Sequence, residues 1–137
     1  YVTTAGTLVP MGAGTSETGT NSFYYIGPAS LLFRNRNGTS ELVTGGPESY
    51  GLIGASRNNG SSFVAQVDAT QEEVTSASQT PYNGNVWVFG RNAAGSYTNA
   101  TISFYSIGTS LASDPAAGLA DLNTALSNLM TSIGEAL

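Results

Sequence analysis

The sequence predicts a mostly β protein, an antiparallel β-sandwich followed by one C-terminal amphipathic helix. Short apolar runs alternate with Gly-, Asn- and Ser-rich turns roughly every ten residues, which favours a sandwich over alternating β-α units. A chain of 137 residues is long enough for one domain with a hydrophobic core. Near the C terminus the apolar residues change to a helical spacing.

The predicted strands follow one another as short apolar runs between turn signals such as Asn37-Gly38 and the Asp68–Thr70 segment. Residues 1–22 are assigned to an N-terminal strand at 7–9 and a flexible loop, residues 23–111 to the sandwich, and residues 112–137 to the helical part. We expect Trp87 and Phe104 to lie on adjacent buried strands. Beyond the first strand, the predicted strands cover residues 23–27, 30–34, 42–43, 50–56, 62–67, 72–77, 86–90 and 100–108.

The helix prediction rests on an N-terminal capping residue and on a stripe of apolar residues at helical spacing. Asp114 is placed to cap the helix N terminus, and Pro115 fits the first helical position, where its missing N–H costs nothing. The stripe has two interpretations: it covers the helix's own sandwich, or it joins subunits through a short heptad seam. Since the opposite face carries almost no charge, we expect a homo-oligomer with the helix at or near the interface. The residues assigned to that interface are Leu119, Leu122, Leu126, Leu129 and Ile133.

The composition narrows the possible functions. Charged residues make up 9% of the chain, against about 25% in typical soluble domains. The chain has no Cys and no His, and its net charge is −5. Thiol and Ser-His-Asp chemistry and nearly all zinc sites are therefore excluded, and four scattered arginines do not suit nucleic acid. We expect no catalytic residue, metal or cofactor.

The sequence contains no apolar run of the ~20 residues that a membrane-spanning helix needs, so we expect no membrane insertion. Glu72 and Glu73 are adjacent, and in a strand they would point to opposite faces, which does not suit a general acid/base pair. The first residue is Tyr1 rather than Met, so we expect a fragment or a processed product of a longer protein.

Aromatic, amide and arginine side chains near the predicted turns are the candidate functional residues. Sugars bind aromatic faces through their C–H surfaces, and planar amides and guanidinium groups hydrogen-bond sugar hydroxyls. The alternative is that Trp87 and Tyr105 are core residues and that the asparagines serve turn geometry. The Asn-x-Ser/Thr triplets at Asn37, Asn59 and Asn99 are glycosylation acceptors in some secreted proteins and otherwise turns. The glycan-binding candidates are Tyr50, Arg57, Asn58, Asn59, Tyr82, Asn83, Arg91, Asn92 and Tyr97.

Three segments from Leu52 onward follow one another in a recognisable order: LIGASRNNGSSFVAQVD (52–68), SQTPYNGNVWVFGRNAAGSYTNATISFYSIGTSL (78–111) and ADLNTALSNLMTSIGEAL (120–137). Their order resembles a concanavalin A-like, LamG-type jelly roll. The resemblance is to the domains near the C termini of tail, fibre and spike proteins of bacteriophages, prophages and gene-transfer agents. One departure is VDATQEEV at 67–74, where such domains often carry an Asn-Gly turn.

The resemblance implies a virion-exposed, non-enzymatic module that contacts host cell-surface polysaccharide and other virion proteins, and that works as a trimer. It also implies that the FYSIG strand ends at Gly108 with a sharp exit into the helix. Two alternatives stay open: a purely structural decoration or assembly module without a ligand, and a carbohydrate-binding appendage of a secreted bacterial protein.

Overall fold

The structure is mostly β, with eight strands and one helix among the described residues, as the sequence predicts. A computed structural model describes residues 9–14, 23–27, 30–39, 41–43, 51–90, 97–98 and 101–134. In chain order the elements are β1 (Met11–Ala13), β2 (Phe23–Gly27), β3 (Ser30–Arg34), β4 (Glu41–Val43), β5 (Ile53–Ser56), β6 (Ser62–Val67), β7 (Thr70–Thr75), β8 (Val86–Val88) and α1 (Pro115–Ser132).

All strand pairs are antiparallel. Two sheets have three strands each, in the orders β2-β3-β4 and β5-β6-β7, and a third pairs β1 with β8. One apolar cluster contains residues from both three-stranded sheets, so the arrangement is sandwich-like and the predicted fold class is confirmed. The jelly-roll topology stays a prediction.

The core between the two three-stranded sheets follows from the alternation of side chains along a strand. Phe63, Ala65 and Val67 of β6 share one face and are all buried, as their spacing predicts. Across the core lie Leu31 and Phe33 of β3, both fully buried. Burying aromatic and branched side chains of this size contributes about 1.5–3 kcal/mol each, so these facing residues hold the two sheets together.

The two predicted turns lie between paired strands. Val67 pairs with Thr70, which leaves a two-residue turn in which Asp68 has a φ of 52°. Asp tolerates this left-handed backbone better than most residues. In the loop between β3 and β4, the Oδ1 atom of Asn37 accepts from the Asn35 N–H at 2.6 Å. Asn37 is fully buried, so this asparagine serves the turn and is not exposed for glycosylation.

Helix α1 begins as predicted and covers the outer face of the β5-β6-β7 sheet. The Asp114 carboxylate accepts hydrogen bonds from the backbone N–H groups of Ala116 and Ala117, and Pro115 occupies the first turn. Leu119 is only 2% exposed, and its Cδ2 atom lies so close to Gly54 that a Cβ built there would be 3.1 Å away. The sheet is therefore sandwiched between the other sheet and the helix.

A polar contact also joins the helix to this sheet. The Gln71 Nε2 atom donates to the Ala116 carbonyl oxygen at 2.8 Å and to the Gln66 Oε1 atom at 2.9 Å. Gln66 is 1% exposed, and its own Nε2 donates to the Asp68 carbonyl oxygen at 2.7 Å. These bonds explain how an amide side chain is tolerated under the helix, since a buried polar group needs partners.

The predicted strand at 100–108 is wrong for the described residues 101–108, none of which lies in a strand. Phe104, Tyr105 and Ile107 are 45%, 59% and 56% exposed. Aromatic and branched residues favour a strand only where a neighbouring strand and a buried face are available. This segment pairs with no described strand, so its apolar side chains stay partly exposed at the surface.

The expected burial of Trp87 and Phe104 on adjacent strands is also wrong. Trp87 lies in β8 opposite Gly12 and is 42% exposed, while Phe104 lies outside any strand. Gly108 does not provide a special backbone exit, because its φ is not positive and a Cβ there would meet nothing within 4 Å.

At the N terminus the observed strand is β1, and Val9 of the predicted 7–9 strand precedes it. Residues 7 and 8 lie outside the described part of the chain. Because β1 pairs with β8, the segment assigned to residues 1–22 contributes a strand to the β structure. The domain boundaries at 22 and 111 stay predictions.

Candidate functional site

A cleft of about 390 Å³ lies beside the β5-β6-β7 sheet. One wall is formed by residues 52–56, which contain β5, together with Leu119 and Leu122 of the helix. Residues 104–111, which lead into the helix, also line the cleft. The cleft is thus lined by β5, by the segment that precedes the helix and by the first half of the helix.

Three arginines line this cleft, and two strand ends position them. Arg34 is the last residue of β3, and Arg57 directly follows β5. Arg36, in the loop after β3, has a φ of 59°. Packing of the two sheets brings these strand ends together, although the arginines are up to 23 positions apart in the sequence (57 − 34).

Arg57 is held firmly by the surrounding chain. Its Nε atom donates to the Asn35 carbonyl oxygen at 2.7 Å, and its Nη1 atom donates to the Asn59 carbonyl oxygen at 3.5 Å. Its Cζ atom lies 5.1 Å from the centre of the Phe63 ring, within the range of a cation–π contact. The guanidinium group therefore has a fixed position in the lining of the cleft.

The electrostatic environment of Arg57 is unfavourable to its charge. Arg57 is 7% exposed, and this burial lowers the pKa of its guanidinium from the usual value. The positive charge of Arg36 lowers the pKa of Arg57 further. Burial lowers the pKa because the charged form loses its hydration, and Arg36 lowers the pKa because like charges repel.

Arg34 has a carboxylate nearby, since its charge helps to lower the pKa of Glu41. The hydrogen bond from Thr39, at 2.7 Å, is the largest cause of that lowering, and burial opposes it. By contrast, the buried Nη2 atom of Arg57 and Nε atom of Arg36 have no hydrogen-bond partner within the part of the chain that the structure describes. Donors of this kind are rare in folded proteins and call for an explanation.

The segment 104–111 contributes two partly exposed aromatic side chains to the cleft. Phe104 and Tyr105 both line the cleft while keeping about half of their surface exposed. At its far end the segment is fastened to the sheet, because the hydroxyl groups of Ser56 and Ser110 are hydrogen-bonded at 3.1 Å. The Ser110 Oγ atom also donates to the Ala112 carbonyl oxygen at 2.9 Å. The segment that carries Phe104 and Tyr105, the aromatic wall of the cleft, is thus anchored to the sheet just before the helix.

Of the predicted glycan-binding residues that the structure describes, Arg57 alone lines this cleft. Asn58 and Asn59 border a second hollow of about 240 Å³ on the other side of the β5–β6 turn. The Asn59 Oδ1 atom accepts from the backbone N–H groups of Ser61 and Ser62 at 2.8 and 2.7 Å. The Asn58 Nδ2 atom donates to the Ser113 carbonyl oxygen. Both amides therefore shape the turn and tie it to the helix.

The other described candidates lie away from the cleft. Tyr82 and Asn83 are exposed in the loop before β8, where the Tyr82 ring covers Gly84 so closely that a Cβ there would lie 2.5 Å from it. Tyr97 is 63% exposed and forms a bridge with Gly90. The remaining candidates lie outside the described residues: Tyr50, Arg91 and Asn92.

Four residues that the sequence does not single out as binding residues also line the cleft: Arg34, Arg36, Phe104 and Tyr105. The i, i+2 spacing of Arg34 and Arg36 would place both on one side only in an extended chain, but Arg36 lies in a loop and has a φ of 59°. Nothing in the sequence indicates that Arg57 joins them, because that contact depends on how two sheets pack.

In the described ranges, no group of three or more Asp, Glu, His or Cys side chains is arranged to hold a metal ion. The same ranges contain no helix long and apolar enough to cross a membrane. No family model, curated protein or solved structure matches the chain.

Proposed function

We propose that this protein is a non-enzymatic binding module that contacts a glycan through the cleft between β5 and the 104–111 segment. The observation that carries the proposal is the cleft itself, whose lining combines two partly exposed aromatic side chains with a fixed guanidinium group. Aromatic faces stack on the C–H surfaces of sugars, and guanidinium groups donate directed hydrogen bonds to hydroxyl oxygens. Small-ligand sites typically combine apolar walls with a few well-placed polar groups.

The proposed setting is the surface of a phage-like particle, in a fibre, spike or tail protein that contacts host polysaccharide. Support comes from the resemblance of residues 52–137 to LamG-type virion domains and from the low content of charged residues, 9%. A sandwich-like β fold with a C-terminal helix is compatible with such a domain. The virion setting rests on the resemblance, and the glycan contact rests on the cleft.

We also propose that the module forms a homo-oligomer, with a trimer implied by the resemblance. Leu119 is buried against its own sheet, so it is not free for a partner, whereas Leu122 and Leu126 are half-buried. Leu129 and Ile133, on the second half of the helix, are 54% and 62% exposed. The first half of the stripe thus covers the sheet, and the second half is the part that fits a subunit contact. Multivalent display would strengthen weak sugar binding.

A glycan array followed by calorimetry tests the glycan contact. Tyr105→Ala removes an exposed aromatic side chain of the cleft, and Tyr97→Ala removes an equally exposed tyrosine that does not line it. We expect Tyr105→Ala to weaken binding of an array-selected glycan about tenfold, which corresponds to about 1.4 kcal/mol, and Tyr97→Ala to leave it unchanged. A domain that binds no glycan on the array would favour a purely structural module. Equal losses in both variants would place the site elsewhere.

A further inference from the structure

The charge distribution around the cleft differs from that of the chain as a whole. The chain carries a net charge of −5 and has only four basic residues. Three of those four, Arg34, Arg36 and Arg57, line one cleft. Placing like charges close together is unfavourable unless an opposite charge compensates them, particularly where burial reduces their hydration. The positive charge of an acidic protein is thus concentrated at one place.

Two of these arginines, Arg36 and Arg57, are incompletely satisfied within the described residues. Arg57 is more than nine-tenths buried, yet its Nη2 atom has no hydrogen-bond partner among the described residues, and the same holds for the Arg36 Nε atom. Arg34 has a described carboxylate, Glu41, within electrostatic range. A ligand with acceptor oxygens and a negative charge would accept hydrogen bonds from the guanidinium groups that line the cleft and offset the repulsion between them.

We propose that the ligand of this cleft carries an oxyanion, a carboxylate or a sulfate, on a sugar ring, and that Arg36 and Arg57 bind this group. The inference rests on the proposed glycan-binding function and specifies its substrate class as acidic glycans. Guanidinium groups match such oxyanions because two N–H donors point in parallel toward two oxygens. Phe104 and Tyr105 lie on the same cleft, so one sugar ring can stack on the aromatic wall while its anionic group meets the arginines.

Calorimetric titration with matched sugars tests this inference. The ligands are oligosaccharides that differ at one position only: a neutral hexose, the corresponding uronic acid, the methyl ester of that acid, and the sulfated hexose. We expect the uronate or the sulfated sugar to bind at least about tenfold more tightly than the neutral sugar and the ester. Raising the salt concentration should reduce this advantage, because salt screens charge interactions. The better of the two acidic sugars identifies the oxyanion.

Two substitutions separate a specific arginine contact from a change in net charge. Arg36→Gln and Thr75→Glu each change the net charge from −5 to −6, but Thr75 is exposed on β7 and does not line the cleft. We expect Arg36→Gln to abolish the preference for the acidic sugar and Thr75→Glu to retain it. Arg57→Lys, which keeps the charge and loses the paired donors, should weaken acidic-sugar binding as well.

The outcomes separate this inference from the proposed function. Equal binding of neutral and acidic sugars would overturn the inference and leave the glycan-binding function standing. An equal loss of preference in Arg36→Gln and Thr75→Glu would also overturn it. Absence of binding to every sugar, including those selected on an array, would overturn the glycan-binding function itself.

Discussion

Packing of α1 against the β5-β6-β7 sheet predicts a specific pattern of stability changes at Leu119 and Gly54. Leu119→Ala removes a side chain that is 2% exposed, and buried Leu→Ala substitutions cost about 2–5 kcal/mol. Because Leu119 borders the open cleft, neighbouring groups and water can fill part of the space. We therefore expect a loss of about 2–3 kcal/mol in the free energy of unfolding.

Gly54→Ala adds a methyl group that would lie 3.1 Å from the Leu119 Cδ2 atom. Such crowding in a packed region costs on the order of 1 kcal/mol. In the Leu119→Ala background this methyl group finds space, so the cost should disappear or become a small gain. The double-mutant cycle should therefore show a coupling of about 1 kcal/mol between the two positions.

Urea unfolding followed by far-ultraviolet circular dichroism and by Trp87 fluorescence measures these changes, and coincidence of the two signals checks two-state behaviour. Leu129→Ala is the control on the same helix, since Leu129 is 54% exposed and should change stability by less than about 0.5 kcal/mol at high dilution. A cost below about 1 kcal/mol for Leu119→Ala, or strict additivity with Gly54→Ala, would refute this packing of the helix.

Three further predictions concern the core, the pH dependence and the assembly. Replacing Phe63, which is 1% exposed, by Ala should lower the free energy of unfolding by about 3–5 kcal/mol. Phe104→Ala should lower it by less than about 1 kcal/mol. Denaturant unfolding that reverses this order would contradict the assignment of Phe63 to the core. The pKa of Glu41 lies below its ordinary value of 4.5, chiefly because Thr39 donates to its carboxylate. The hydrogen bond to the ionised Glu41 carboxylate contributes about 1 kcal/mol to the free energy of unfolding. This contribution should therefore be present above pH 4.5 and be lost as the pH falls through the lowered pKa of Glu41. Glu41→Gln should remove this part of the pH dependence, and an unchanged acid profile would argue against it. Light scattering on the 14.0 kDa chain should show an oligomer that Leu129→Asp dissociates and Thr75→Glu does not; a wild-type monomer at micromolar concentration would contradict the proposed assembly.

Where local chemistry determines the structure, the sequence was sufficient to predict it. The alternation in β6 correctly placed Phe63, Ala65 and Val67 on the core face, because successive strand residues point to opposite sides. Asp114 and Pro115 correctly located the start of the helix, since capping depends only on residues within one turn. These features involve neighbours in the chain.

Features that depend on distant partners were not predictable in the same way. Residues 101–108 have the composition of a strand, but a strand forms only where another strand supplies hydrogen-bond partners. The meeting of Arg57 with Arg34 and Arg36 likewise depends on the packing of two sheets. The site was therefore only partly predicted, through Arg57, while its aromatic wall was assigned to the core.

The most direct measurement of ligand binding in the cleft is a two-dimensional ¹⁵N–¹H NMR titration of the protein with an array-selected glycan. Glycan binding in the cleft predicts the largest shifts at the backbone amides of Arg57, Tyr105 and Gly108, and small shifts at Tyr82 and Tyr97. Shifts confined to Tyr82 and Tyr97, or an unchanged spectrum with every glycan tested, would contradict binding in this cleft.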